Sequence, residues 1–301
     1  MNNFIEYFYN IKIDKITYHN KYYSFIYNGY IYKLYFIDEV INTDSLLDIN
    51  RKLINNTLIS EIIINRNNEV ISIYNNYKYI LIKIYVSIGK SITLSEISNL
   101  SNTLYKENLN INWGMLWERK IDYLENLINE NGKKYPLIVN SFNYFVGMAE
   151  NAISYYNNIK IDNNYKYTIN HKNIRINSTV EDFYNPLNII YDYKVRDVAE
   201  YIKNSFFNKN DKIYDEINLY LKYNHLSLME IKLLISRILY PSFYFNIYED
   251  IMIDKKEEII IADIINNLDE YENYLADIID FFKKYYEIED IMWLKKGKYY
   301  N

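Results

Sequence analysis

The sequence has no cysteine and no glutamine, and only three histidines, six glycines and three prolines. Without cysteine it has no disulfide, no thiolate nucleophile and no sulfur-ligated metal. His19, His171 and His225 are too few for a histidine-rich metal cluster. Without glutamine, no side chain is available for a glutamine-derived isopeptide crosslink, although tyrosine–tyrosine coupling stays chemically open. No apolar run approaches the roughly 18 residues of a bilayer span. The opening MNNFIEYFYN has neither a basic leader nor a long apolar core, so the expectation is a chain made in the cytoplasm without a signal peptide or membrane span. Basic excess is also lacking. Lys and Arg number 34 against 39 Asp and Glu, a formal net charge of -5. That balance leaves nothing to collect phosphate backbones, which excludes nucleic acid as a main partner.

What is present is a globular composition. Half of the 301 residues are hydrophobic and 24% are charged, enough for one large domain or two lobes with buried cores. Tyrosine is abundant, at 37 residues. Tyr, Asn, Ile and Lys share A/T-rich codons, and all four are plentiful while Gly and Pro are scarce. The excess is therefore read as genome composition rather than as selection for aromatic stacking.

From Ile11 to about Tyr85 the pattern is mainly strand-like. KIDKITYH, YYSFIYNGY and YIYKLYFID alternate β-branched or aromatic residues with polar ones. Asn28-Gly29 between the second and third runs signals a hairpin. Ser45–Asn56 reads as a helix with Leu46, Ile49, Leu53 and Ile54 on one face. EVISIY and YKYILIKIY follow as strands, joined by Asn75-Asn76. Three strands, a helix and two strands is the order of a kinase N-terminal lobe. In an active kinase a Gly-rich turn lets the backbone approach the phosphates. Here the turn is His19-Asn20-Lys21, with no glycine. Lys33 is the candidate for the nucleotide-binding lysine of the third strand, its structural reading being an exposed strand lysine. The helix that should carry its partner glutamate has Asp48 and no Glu.

Thr93-Leu94-Ser95-Glu96 is a capping-box signature that starts the first helix of the second part. It puts the boundary near Ser87–Ser91. A long helix follows, with Trp117, Ile121, Leu124 and Ile128 at helical spacing and Gly132 at its end. The next helix presents Phe142, Phe145, Ala149, Ala152 and Tyr156 as a stripe. Ser227-Leu228-Met229-Glu230 opens another helix, limited by Pro241. SFYFNIYEDI reads as a short aromatic helix, and Glu258 to Tyr285 as a long amphipathic one with an acidic, solvated face. The tail WLKKGKYYN is basic and expected to be mobile.

Four of these stretches carry a resemblance. NWGMLWERKIDYLENL, SFNYFVGMAENAISYY, DYKVRDVAEYI and SRILYPSFYFNIYED closely resemble successive segments of the YutH-like spore-coat proteins. Those form a branch of the CotS-type family, related in fold to aminoglycoside and choline phosphotransferases. The resemblance runs in order from about Asn112 to Asp250. It implies an α+β, two-lobed protein-kinase-like fold. A small antiparallel-sheet N-terminal lobe would cover residues 1–90, and a larger helical C-terminal lobe residues 91–301.

Carried over residue by residue, the resemblance puts His171 at the loop histidine and Asn173 at the position of the catalytic base. A carboxamide holds no proton-accepting charge near neutral pH, so Asn173 cannot fill that role. The position of the magnesium-binding asparagine is Ser178, with Asn177 one residue away. Asp192, ending a strand at Leu187–Tyr191, is the candidate metal-binding aspartate. One carboxylate makes a poor magnesium site, because magnesium wants near-octahedral oxygen coordination shared with phosphates. Asp197, at a helix N-terminus, is expected to be structural, and His171 to hold its loop by hydrogen bonding. The resemblance therefore implies an endospore-coat protein that is noncatalytic, has no cofactor and binds other spore-coat proteins. Two alternatives stay open: an active Mg-ATP-dependent small-molecule phosphotransferase, and a pseudokinase that binds nucleotide without turning it over.

Overall fold

The computed structural model describes residues 1–19, 22–38, 40–57, 60–85, 91–102, 105–175, 178–252 and 256–294, with residues 55–57 described by backbone alone. The chain divides into two compact units. The first comprises Met1–Thr93 with His171–Asn173 and Asn177–Ile190. The second comprises Leu94–Asn170, Ile174–Ile176 and Tyr191–Asn301.

In the first unit, helix α1 (Asn2–Tyr9) precedes β1 (Thr17–His19), β2 (Tyr22–Tyr27) and β3 (Tyr30–Ile37). Helix α2 (Thr43–Thr57), β4 (Ser60–Ile63), β5 (Ser72–Tyr74) and β6 (Tyr77–Ile84) follow. The antiparallel sheet has the order β1-β2-β3-β6-β4, with β5 also paired to β6. Both expected hairpins are present. Asn28 and Gly29 sit at φ 48° and 79°, and Asn75 and Asn76 at 49° and 65°, the double left-handed geometry of a two-residue turn that matches strand twist. Asn tolerates it because its short side chain bonds locally.

Two elements differ from the sequence expectation. Helix α1 was not expected, because FIEYFY has the aromatic and β-branched content of a strand. It buries only Phe4 and Ile5 and ends at Asn10, φ 53°, whose N–H returns to the Glu6 carbonyl. Strand β4 is four residues long, and its edge is satisfied by a side chain. Asn50 Oδ1, from α2, accepts the Ile62 N–H at 3.0 Å.

Each face of the sheet has its own cover. On one face Phe25, Tyr32, Leu34, Tyr79 and Leu81 pack under Phe4 and Ile5 of α1. On the other, Ile62, Ile80, Ile82 and Ile84 pack with Leu46 of α2.

The second unit is mostly helical. Helices α3 (Leu94–Ser101), α4 (Trp113–Asn131) and α5 (Pro136–Asn157) are followed by a short α6 (Val180–Phe183) that belongs to the first unit. Then come α7 (Arg196–Phe207), α8 (Ile213–Tyr223), α9 (Leu228–Leu239), α10 (Ser242–Met252), α11 (Ile260–Asn266) and α12 (Leu268–Lys283). Strands β7 (Tyr105–Lys106), β8 (Tyr167–His171) and β9 (Ile189–Asp192) make a small sheet in that order. The Ser227–Glu230 capping box forms, and Gly132 follows the last residue of α4. The single amphipathic helix expected from Glu258 to Tyr285 is instead two helices. They part at Asn267, whose N–H and side chain both turn back on the end of α11, the Nδ2 reaching the Asp263 carbonyl at 2.7 Å. The basic tail beyond Leu294 lies outside the described residues. No helix of the described residues is long and apolar enough to cross a membrane.

Two glycines have opposite roles here. A Cβ on Gly114 would meet Asn157 Oδ1 at 2.5 Å and the Tyr156 ring at 3.2 Å, so a side chain there would make neighbours shift. Gly147, within α5, has open space where a Cβ would stand. Glycine there costs helix entropy with no packing return. Gly147→Ala is therefore expected to raise unfolding free energy by about 0.5–1 kcal/mol. A denaturant midpoint that falls instead of rising would contradict this.

Candidate functional site

The residues singled out by the sequence divide between the two units. Lys33, His171 and Asn173 lie in the first, Asp192 and Asp197 in the second. Asn177, Asn20 and Lys21 lie outside the described residues.

Lys33 sits near the middle of β3, opposite Ser24 and Ile82. Its Nζ lies 5.0 Å from the centroid of the Tyr22 ring, a cation–π distance. Asp48, the acid on the following helix, bonds Lys52 one turn on at 2.7 Å. Strand alternation puts Ile31, Lys33, Tyr35 and Ile37 on one face. That face is covered. Leu187 packs against the Ile62–Ile80–Ile82–Ile84 cluster, as Ile31 and Tyr35 also do. Ser60 Oγ donates to the Tyr184 carbonyl at 2.5 Å, fixing the same segment to β4. Burial, with the charges of Asp182 and Glu181 adding to it, pushes the Tyr22 hydroxyl up; Tyr35 is pushed up by burial, Tyr22, Asp182 and Glu181. Both tyrosines stay neutral, beside an acidic turn.

His171 ends β8 and is buried. Its Nε2–H donates to the Phe183 carbonyl at 2.5 Å, and its ring stacks on Phe183 at 4.1 Å. This ties the loop to α6, which is itself held by a capping box between Thr179 and Asp182. Asn173 is clamped by a residue the sequence gave no reason to name. Asn188 Oδ1 accepts the Asn173 N–H at 3.3 Å, and Asn188 Nδ2 donates to the Asn173 carbonyl at 3.1 Å. The Asn188 carbonyl also takes the Lys172 N–H at 2.7 Å. Asn188→Ala should cost about 1–2 kcal/mol, since these loop groups lose their partners. Unchanged stability, with unchanged amide exchange at Asn173, would contradict that clamp.

Asp192 closes β9 with its carboxylate almost fully buried. The strand starts two residues later than expected, because Pro186–Asn188 forms a 3-10 turn. Asp192 Oδ1 accepts the Trp113 indole N–H at 2.9 Å and the Tyr193 N–H at 2.7 Å. Asp192 Oδ2 is paired with Arg196 Nη1 at 2.6 Å. Asn170 fixes the backbone around it, with Nδ2 within reach of the Asp192 and Tyr193 carbonyls at 3.2 and 3.1 Å. Asn170 Oδ1 takes the Asp197 N–H at 3.3 Å. Asp197 is buried in the first turn of α7, above Val195, Val198, Ala199 and Ile202, all buried.

A second buried group of charges continues along α7. Arg196, Glu200 and Lys203 follow at helical spacing on one face. Glu200 Oε1 accepts from Arg237 Nε at 2.7 Å and from Lys203 Nζ at 3.1 Å. Glu200 Oε2 takes the Ser242 hydroxyl at 2.7 Å, and Lys203 Nζ also reaches the Tyr240 carbonyl at 2.9 Å. Burial by itself would raise the Glu200 carboxyl. Lys203 first and Arg237 next, with the Ser242 hydrogen bond and Arg196, hold it down at about 2. Burial pushes the Lys203 ammonium down to about 8 against the pull of Glu200. Arg237 lies over Trp113, 5.1 Å from its ring centroid, so Trp113 touches both charge groups.

Trp113 and Arg196 were within reach of the sequence. Trp113 stands one helical turn before Trp117 in the NWGMLWERK stretch, and Arg196 four residues after Asp192. Asn188 and Asn170 gave no such signal.

The geometry tests the cofactor that a kinase-like fold implies. Magnesium shared with ATP phosphates needs open carboxylate oxygens at about 2.0–2.1 Å. Asp192 gives its oxygens to an indole, an amide and a guanidinium. No group of three or more acidic or histidine side chains able to hold a metal occurs among the described residues. Asp192 held in this way does not fit magnesium.

An N-terminal unit built on an antiparallel sheet with helices on its faces, followed by a mostly helical unit, is the kinase-like fold of small-molecule phosphotransferases. Among solved structures the chain is similar to an aminoglycoside phosphotransferase from Alicyclobacillus acidocaldarius subsp. acidocaldarius DSM 446. The TM-score is 0.64 at 9% identity, over 89% of this chain and 92% of that one. It is also similar to the spectinomycin phosphotransferase solved with ADP and spectinomycin, with TM-score 0.58 at 12% identity over 97% and 95% of the two chains. At these identities the likeness is one of fold. The family model "Spore coat putative kinase YutH" matches residues 2–285, and the chain belongs to that family. The match reaches the N-terminal sheet, which wording alone did not. Among curated proteins the chain is similar to the "Endospore coat-associated protein YutH" of Bacillus subtilis (strain 168), 26% identical over 209 residues. That stretch is 62% of this chain and 62% of the relative's length.

Proposed function

We propose that this protein is a noncatalytic, kinase-like component of the bacterial endospore coat, acting by binding other coat proteins. It would be synthesised in the cytoplasm and assembled onto the spore, with lobes at residues 1–90 and 91–301 serving as a scaffold. Family membership and the coat association of the Bacillus subtilis relative support the coat assignment.

The observation that carries the noncatalytic half is the covered Lys33 face. In an active kinase the phosphates lie against the third-strand lysine under a Gly-rich turn. Here Leu187 packs on that face of the sheet, and Glu181 and Asp182 bring negative charge to Tyr22 and Tyr35 on it. A triphosphate would have to displace an apolar contact and meet like charge. Asn173 at the base position points the same way, since it cannot take the acceptor's proton.

The test has two arms. Purified protein is incubated with Mg-ATP and aminoglycoside, spectinomycin or choline acceptors, and ADP is followed. No ADP above a heat-inactivated control is expected, and turnover abolished by Lys33→Met would establish a phosphotransferase instead. In sporulating cells, a tagged chain should fractionate with coat extracts. A tagged chain that stays in the mother-cell lysate would remove the coat half.

A further inference from the structure

We infer that Arg196 is the resident counter-ion of Asp192, a covalently attached cation standing where a kinase-like fold otherwise holds a divalent metal. The inference rests on the noncatalytic reading and gives it a mechanism at this site.

Three observations converge. First, Arg196 Nη1 lies 2.6 Å from Asp192 Oδ2, while Trp113 and the Tyr193 N–H take Oδ1. Oδ1 already accepts two donors, and at Oδ2 a magnesium ion would meet the like charge of Arg196. Second, Arg196 opens α7, where the positive end of the helix disfavours a cation. Its side chain is mostly buried there. An arginine in that place is sustained by the carboxylate it pairs with, Asp192. Third, the contact depends on the short stretch from Asp192 to Arg196, which turns directly from β9 into α7.

The consequence is a loop whose buried carboxylate is neutralised without any exchangeable ion. Divalent-metal independence is then a property of the chain itself. The same arginine is also the first member of the Arg196–Glu200–Lys203 face. The site that would bind metal is thereby joined to the structural core of the helical unit.

The experiment uses the full chain and a double-mutant cycle read by thermal unfolding. Arg196→Gln removes the charge and leaves Asp192 buried without a counter-ion, and a loss of about 10 °C is expected. Asp192→Asn with Arg196→Gln replaces the ion pair by two neutral amides and should recover more than half of that loss. If Arg196→Gln fails to fold while the double variant folds, the inference is supported equally. Wild type in EDTA should melt within about 1 °C of wild type in MgCl2 or MnCl2, at matched ionic strength.

Additive losses in the two single variants, a double variant no more stable than Arg196→Gln or unable to fold, or a metal-dependent shift of the wild type would each overturn it. Additive losses without ATP turnover would remove the counter-ion and leave the noncatalytic reading standing. ATP turnover with intact Asp192–Arg196 coupling would do the reverse.

Discussion

Glu200→Gln is expected to lower the unfolding free energy by about 3–5 kcal/mol, the usual cost of stranding buried charge. The substitution keeps the volume of the side chain. It leaves Lys203, fully buried, and Arg237 facing a neutral amide. The Tyr240 carbonyl and the Ser242 hydroxyl solvate Lys203 only in part.

Its pH dependence identifies the cause. The folded carboxyl is held at about 2, below its unfolded value of 4.5. The unfolded chain therefore binds the extra proton in that interval. The stabilisation is complete above about pH 4.5 and is lost as pH falls toward 2, amounting to about 3 kcal/mol. Urea unfolding between pH 6 and pH 3 should show wild type losing stability faster than Glu200→Gln. Parallel acid limbs would contradict this account of the network.

Trp113→Ala is the second large effect, again about 3–5 kcal/mol, since it removes a fully buried indole. Trp113 lies 5.5 Å from the Trp117 ring and edge-on to Tyr193 at 4.9 Å, and it donates to Asp192. Trp113→Phe separates packing from hydrogen bonding. It keeps most of the ring contact and loses the N–H, so a cost of about 1–3 kcal/mol is expected from the under-satisfied carboxylate. A Phe variant as stable as wild type would mean that the indole N–H contributes nothing to holding Asp192.

These residues mark how far the sequence could be followed. The hairpins were legible because Asn-Gly and Asn-Asn are a local requirement of the turn. The capping box at Ser227 and the stripe on α5 were legible for the same reason: helix periodicity and caps are local signals. Helix α1 was not legible, since its apolar residues suit a strand equally well and only the sheet beneath decides. The long C-terminal pattern concealed a break, because Asn267 interrupts the backbone without interrupting the apolar repeat.

The candidate site divides in the same way. Asp192, His171 and Asn173 were named from the family resemblance, by position along the chain. Their partners Asn188, Trp113 and Phe183 lie 15, 79 and 12 residues away in sequence, and no spacing rule connects them. The sequence reading left Lys33 open between nucleotide binding and a structural role. Leu187, which packs on its face, and Glu181 and Asp182, whose charges act on Tyr22 and Tyr35, come from a segment more than a hundred residues on, by the numbering of the chain.

The central claim is that the kinase-like frame persists without a working nucleotide site. Thermal unfolding of the purified chain with and without millimolar Mg-ATP tests it most directly. A ligand at about 100 times its dissociation constant would stabilise the native state by roughly 2.7 kcal/mol, a readily visible rise in Tm. The account predicts no shift, with MgCl2 alone as the reference. A magnesium-dependent rise that disappears in Lys33→Met would contradict it, because the covered face of the sheet would then have to open and bind.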